Sequence, residues 1–346
     1  MRGPMRRLSS VLLLVLSACA HRGLPPTRAL DDAAARVNAG SDARTLALAG
    51  FHSLLLSGDA ARATAHFDDA VKRDPGDPLA LAGQSALAAR LMLPQKALAA
   101  ALATLEHAPE HPLAPVAARV VLDAASLSSE TAALVRARVP KLLAARQQVD
   151  SAHLLRSALA NVLLDARETA AHAQVLSDMG VPTAGTLVGP FSAFHVLESE
   201  QPTPPEKDGG LDDLGAGPFG ALTPRTLRFP DGRLSLAAES LSGDVYLFAV
   251  DVSVPEAGRY VLRTVTSLDH AAVLDGTEVL TRFTRLRPAP TLTTRTLRLE
   301  RGDHRLLVRL TRGSQAGNFS LALQRADGRA AKLDFKPAAG AAPRWT

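Results

Sequence analysis

Near residue 183 the spacing of apolar residues changes from one that suits helices to one that suits strands. Before that point alanine and leucine dominate, and apolar positions recur every three and four residues, which places them on one face of a helix. After it glycine, proline, threonine and valine rise, and short alternating runs lie between turn residues, the pattern of half-buried strands. A chain of 346 residues has length for two such cores. The expected fold is therefore multidomain, α then β. A helical domain is expected over 41–182, a Pro/Gly-rich linker over 183–222, a β-sandwich of jelly-roll type over 223–336 and a disordered tail over 337–346 that holds Trp345.

The helical half contains an internal repeat. Gly58-Asp59, Ala63, Phe67, Ala70-Val71 and Asp74-Pro75 form a run of small, aromatic, small and proline positions, and Ala97, Ala101 and Pro109 follow 34 residues after Ala63, Phe67 and Pro75. Small residues allow two helices to approach closely, an aromatic ring fills the space between them, and the proline ends the helix. This spacing resembles the second helix of a tetratricopeptide unit. Leu54 stands at the first-helix aromatic position and Gly50-Phe51 where that family has Leu-Gly. In the second copy Ala88 and Ala101 replace the aromatics. Helical periodicity continues over Leu113–Val149 and Ala152–Met179, and Ala166–His172 echoes Ala60–His66. About eight helices in four antiparallel pairs are expected, and the resemblance implies a short α-solenoid.

In the second half, Pro202, Pro204 and Pro205 mark a stretch expected to cross a surface rather than join a central strand. Strands are then expected at Thr226–Phe229, Leu234–Ala237, Val245–Val254, Tyr260–Thr266, Ala271–Leu274, Glu278–Phe283, Thr293–Leu299, Arg305–Thr311 and Phe319–Gln324. Asp275-Gly276 is the strongest hairpin signal among the intervening turns. The phrases Gly258–Arg263, Ser267-Leu268-Asp269, Val273–Gly276 and Leu299–Val308 are similar to those of PA14-type and related carbohydrate-binding jelly rolls. With Gly189-Pro190-Phe191 and Phe194 before them, they also resemble the front of larger Gram-negative envelope proteins that carry transglutaminase-like domains.

The only cysteine, Cys19, ends the run Leu16-Ser17-Ala18-Cys19 behind Arg2, Arg6, Arg7 and an apolar stretch from Leu8 to Leu16. That stretch is too short for a membrane span, which needs about 20 residues, and reads as a signal segment. The pattern resembles that of bacterial lipoprotein precursors. It implies a signal peptide at 1–18, a diacylglyceryl thioether on Cys19 and a tether over 19–40, with several acyl chains holding the body at a membrane. Ala20 after the cysteine favours the outer membrane over retention in the inner one.

Removing Arg2, Arg6 and Arg7 lowers the formal charge from +5 to about +2, and no basic block interleaved with aromatics remains, which argues against nucleic-acid binding. With Cys19 acylated, no thiol is left for disulfides, metal ligation or the nucleophile of transglutaminase-like domains. His107 and His111 straddle Pro109 and so do not share a helical face for a metal. Asp269 and Asp275 supply two carboxylates where calcium wants six to eight oxygens; Asp275 reads as a turn residue, as does the tripeptide Arg301-Gly302-Asp303. His304 reads as structural, and no nucleophile elbow, phosphate loop or dinucleotide fingerprint occurs.

The expectation is a non-enzymatic outer-membrane lipoprotein with no cofactor and no metal, acting as a protein–protein interaction adaptor. Its helical repeats would take a protein or peptide partner near Arg44, His52 and Gln84. The alternatives are a glycan- or peptidoglycan-binding lipoprotein using Tyr246 and Tyr260 of the sandwich, or an accessory subunit of an envelope enzyme. Aromatics make up only 4% of the chain, and core positions would claim those tyrosines first.

Overall fold

The structure, a computed structural model, describes residues 26–145, 147–193, 200–236, 244–283, 290–311 and 317–343. The signal segment, Cys19, Phe194 and Trp345 lie outside the described residues. The described residues fall into two compact units: those up to 172 with 327–329, and those from 173 to 326 with 330–343. Helices make the first and antiparallel sheets the second.

The helices are α1 (Pro26–Arg36), α2 (Ala43–His52, prolonged by a π turn, Ser53–Ser57), α3 (Ala60–Arg73), α4 (Pro78–Arg90), α5 (Pro94–His107), α6 (Ala114–Ala124), α7 (Ser129–Ala144), α8 (Val149–Asp165) and α9 (Thr169–Asp178). Their starts follow local chemistry. Asp42, Asp59 and Asp77 accept from the backbone N–H of Thr45, Arg62 and Ala80, satisfying donors that no helical carbonyl can reach. Ser128 and Thr131 form a reciprocal cap on α7.

Sequential neighbours from α1 to α6 pack together, α7 packs on α8, and α2 also meets α4 and α6 meets α8. The first core lies between α2, α3 and α4. Phe67 of α3 is fully buried, with Phe51 edge-on at 5.1 Å between ring centroids. Its ring fills the space a side chain would need at Gly50 or Gly83, where a Cβ would lie 2.5 and 2.1 Å from ring carbons.

In the second unit, β1 (Ala184–Val188) precedes a short helix, α10 (Pro204–Asp208). The strands β2 (Ala216–Gly217), β3 (Gly220–Ala221), β4 (Arg225–Arg228) and β5 (Leu234–Ser235) follow. Next come β6 (Val245–Val254), β7 (Gly258–Thr266), β8 (Asp269–Leu274), β9 (Thr277–Arg282) and β10 (Thr291–Leu299). The last are β11 (Gly302–Thr311), β12 (Asn318–Arg325) and β13 (Asp334–Pro337). One sheet runs β4-β1-β6-β11-β8-β9 with β13 also on β6, and another runs β10-β7-β12-β5. β1 and β13 share one edge of β6, pairing with Leu247–Ala249 and Val250–Ser253.

Alternation sends Leu306, Val308 and Leu310 of β11 and Tyr246, Phe248 and Val250 of β6 into one core with Leu262, Phe319, Leu321 and Leu323 of the other sheet. Asp275 and Gly276 both have positive φ (46° and 77°), the geometry their sequence signals for a tight hairpin between β8 and β9.

The expected linker and tail differ from what is observed. Ala184–Val188, inside the expected linker, is an internal strand between β4 and β6, where Gly185 lets the Phe248 ring approach to 2.2 Å of where its Cβ would be. Pro202, Pro204 and Pro205 do stay out of the sheets, and Pro204 opens α10. Residues 337–340 of the expected tail are fixed: Ala338 is buried and its carbonyl accepts from the Thr186 hydroxyl at 2.7 Å.

Candidate functional site

The three helical candidates do not converge. Arg44 is exposed in the first turn of α2, while His52 lies eight residues on, about 12 Å along the axis. His52 is engaged with α1, its Nε2 3.2 Å from Asp31 Oδ1. Gln84 of α4 donates from Nε2 to Asp68 of α3 at 2.8 Å. His52 and Gln84 thus tie helices together, and Arg44 alone of the three extends into solvent.

Tyr246 and Tyr260 are completely buried. The Tyr260 hydroxyl donates to the Glu256 carbonyl at 2.9 Å, and the Arg325 guanidinium lies 5.9 Å from its ring centre. Neither ring offers a face on which a sugar could stack, because alternation turns both side chains inward.

Sequence reasoning missed the charges on the opposite face of the larger sheet. There Leu247, Ala249, Val273 and Leu307 form a second apolar cluster with Val188, Leu211, Leu214 and Ala338. Arg305 and Arg309 rise from β11 on this face, each 1% exposed. Arg305 pairs in fork geometry with Asp251, at 2.7 and 3.0 Å, and donates to the carbonyls of Gly209, Ala339 and Gly340. One guanidinium therefore staples two distant chain segments to the sheet. Arg309 meets the buried carboxylate of Glu206 at 3.1 Å and the carbonyl of Gln201, with the Phe283 ring 5.9 Å away. The same Glu206 oxygen, Oε2, accepts in addition from the backbone N–H and hydroxyl of Thr203, so one oxygen gathers the three groups of this latch. The signal was present in the sequence: two arginines at even spacing within the otherwise apolar run Arg305–Arg309 of a two-faced strand.

Next to this latch lies a cavity of about 250 Å³, lined among others by Phe191, Gln201, Thr203, Pro204, Leu214 and Val245. The Arg309 Nε and Thr311 Oγ1 atoms are buried without a hydrogen-bond partner, and Thr311 stands opposite Val245 in the β6–β11 ladder.

His304 and Asp275, the residues weighed as structural from sequence, form a contact of 2.5 Å, and the second ring nitrogen of His304 faces the Glu300 carbonyl at 2.9 Å. Asp275 also accepts from the Arg305 backbone N–H, which joins the hairpin to β11. Among the described residues no three His, Cys, Asp or Glu side chains come together in a way that could hold a metal, and no helix is long and apolar enough to cross a membrane.

No family model matches the chain, and no curated protein matches it. Among solved structures it is similar to a β-glucosidase from Kluyveromyces marxianus in complex with glucose, at 17% identity and a TM-score of 0.27, over 41% of this chain and 16% of that one. A selenomethionine-labelled form of the same enzyme matches at 16% identity and a TM-score of 0.23, over 29% and 12%. The chain spans less than a fifth of those enzymes, and a likeness at that level carries neither fold nor activity.

Proposed function

We propose that this chain is a non-enzymatic, lipid-anchored protein of the bacterial outer membrane whose helices form a short tetratricopeptide-type solenoid that binds a protein or peptide partner. The sheets would form a sandwich that serves as a second contact surface or spacer. The observation that carries the reading is the seat of Phe67 between Gly50 and Gly83, which gives a physical meaning to the small-aromatic-small signature.

A departure from the family pattern has a local explanation. The glycine that receives Phe67 is Gly50, one residue earlier than the family spacing, and the π turn at Ser53–Ser57 absorbs one extra residue before Ala63. Ala63, Phe67 and Ala70 are all fully buried, and their counterparts Ala97 and Ala101 are buried one period later. On the first-helix side Arg44 remains free of the packing, so it is the candidate that the partner reading retains. The glycan alternative loses its two tyrosines to the core.

The test is radiolabelled palmitate incorporation together with affinity capture of the native lipidated protein from solubilised envelopes. Wild type should incorporate palmitate, Cys19→Ser should not, and one partner should be recovered whose yield falls several-fold with Arg44→Glu. Absence of labelling ends the anchor assignment. A partner yield unaffected by Arg44→Glu and by truncation of Phe67 ends the helical-binding assignment.

A further inference from the structure

Among the described residues of the helical unit, the large apolar side chains left exposed are Leu56, Leu91, Met92, Leu93, Leu127 and Leu164. Every one lies at the junction of the first and second helix of a pair: α2 to α3, α4 to α5, α6 to α7 and α8 to α9. Contacts place the first three of these junctions in a row. Arg90, at the end of α4, donates to the Leu54 carbonyl at 2.7 Å. Gln95, at the start of α5, reaches Ser128 at 3.5 Å, whereas Glu168 of the fourth junction meets Arg136 midway along α7 at 2.6 Å.

The opposite edge of the unit has another chemistry. Its connections carry Asn38, Ser41 and Asp42, then Asp74, Gly76 and Asp77, then Glu110 and His111. Arg73 joins the first two of these by donating to the carbonyls of Ala39 and Ser41.

Met92 has φ 58° and is 79% exposed, standing 34 residues after Gly58, whose φ is 68°. Methionine thus holds a left-handed position that glycine fills in the preceding pair, with its side chain directed into solvent.

The chain enters the unit at this apolar edge. α1 packs against α2 across a six-residue connection and so runs antiparallel to it. Asp31 lies beside His52; five residues back along α1 and five forward along α2 bring Pro26 level with Ser57. From Cys19 to Pro26 is seven residues, a reach of at most about 25 Å.

We infer that the edge formed by Leu56, Leu91–Leu93 and Leu127 rests on the bilayer that holds the acylated Cys19, its side chains immersed in the headgroup region. This rests on the anchor proposed above. Separate apolar tips set along an edge suit a fluid interface that closes around each one, whereas a protein partner calls for a contiguous apolar patch.

The lipidated full-length protein, reconstituted in phosphatidylethanolamine vesicles, provides the test. Because Cys19 is the only native cysteine and its sulfur is acylated, Met92→Cys, Leu127→Cys and Lys72→Cys each offer a single thiol for an environment-sensitive dye. Lys72 lies in the last turn of α3 at the opposite edge. Quenching by nitroxide lipids should be at least five-fold stronger at positions 92 and 127 than at 72. Equal quenching at the three sites, with acylation of Cys19 verified by mass, overturns the docking inference and leaves the anchor intact. Dye burial that grows with protein concentration and escapes lipid quenching shows a second copy on the edge and also overturns it. A chain without acyl groups removes the anchor, and this inference with it.

Discussion

The ring of Phe67 stands where a side chain on Gly83 would have to be, with 2.1 Å between the nearest ring carbon and the position of the missing Cβ. Glycine inside a helix is normally a weakness that alanine repairs by about 0.5–1 kcal/mol. At position 83 the sign reverses.

Gly83→Ala should destabilise the helical unit by about 1–3 kcal/mol through overpacking, and Phe67→Ala by about 3–5 kcal/mol through the cavity it leaves. The two changes should be strongly non-additive, since the smaller side chain at 67 admits the methyl at 83. Chemical denaturation followed by far-ultraviolet circular dichroism reads both. A stabilising Gly83→Ala would contradict the packing.

Tyr246→Ala and Tyr260→Ala each empty a fully buried ring position. Each should cost on the order of 3–5 kcal/mol, as for other buried aromatics, and lower the melting temperature of the sheet unit. Differential scanning calorimetry would show this directly. Loss of sugar retention at unchanged melting temperature would return these residues to the surface.

Glu206 and Arg309 are buried together, at 2% and 1% side-chain exposure. Glu206→Leu strands a buried guanidinium and should cost about 3–5 kcal/mol, whereas Glu206→Leu with Arg309→Met should recover most of that loss. A double-mutant cycle by urea unfolding measures the coupling. Simple additivity would show that the latch is not an interacting pair.

Burial pushes the pKa of His270 down. The nearby Arg282 guanidinium acts in the same direction, while the hydrogen bond to the Leu268 carbonyl and the Asp269 carboxylate oppose it. The Leu268 carbonyl only accepts, so Nδ1 carries the proton, and Nε2 accepts from the Thr264 hydroxyl at 2.8 Å. The unfolded chain therefore takes up a proton more readily than the folded one. Stability is full above about pH 6.5, the value for a free histidine, and falls as the pH drops from there toward the folded pKa. His270→Gln should flatten the decline measured between pH 7 and pH 5. An unchanged slope would place the acid sensitivity elsewhere.

Local chemistry made several elements legible before any coordinates. Asp275-Gly276 spells its own hairpin because both residues tolerate positive φ, and the strand over Val245–Val254 is observed at its expected bounds. The caps at Asp42, Asp59 and Asp77 are just as local, since their side chains reach only three residues ahead, but the structure and not the sequence reading identified them. The strand at Ala184–Val188 was not legible. Five residues with a glycine have little strand character of their own, and their place comes from β4 and β6, drawn from sequence more than 35 residues away. The reach of Arg305 to Gly209 and Gly340 was hidden for the same reason.

The alternation of apolar residues by itself determined that helices precede sheets and which side of β6 and β11 would be buried first, because both properties depend on neighbours within a few residues. Only the tertiary structure decided that the second side is buried too, under chain held by Arg305 and Arg309, and that Leu56, Leu91–Leu93 and Leu127 of the helical unit remain outside its core along one edge. A helical period reports that a residue is apolar and on a face; it does not report whether another element arrives to cover it. That coverage depends on contacts between residues far apart in the chain, which no local pattern encodes.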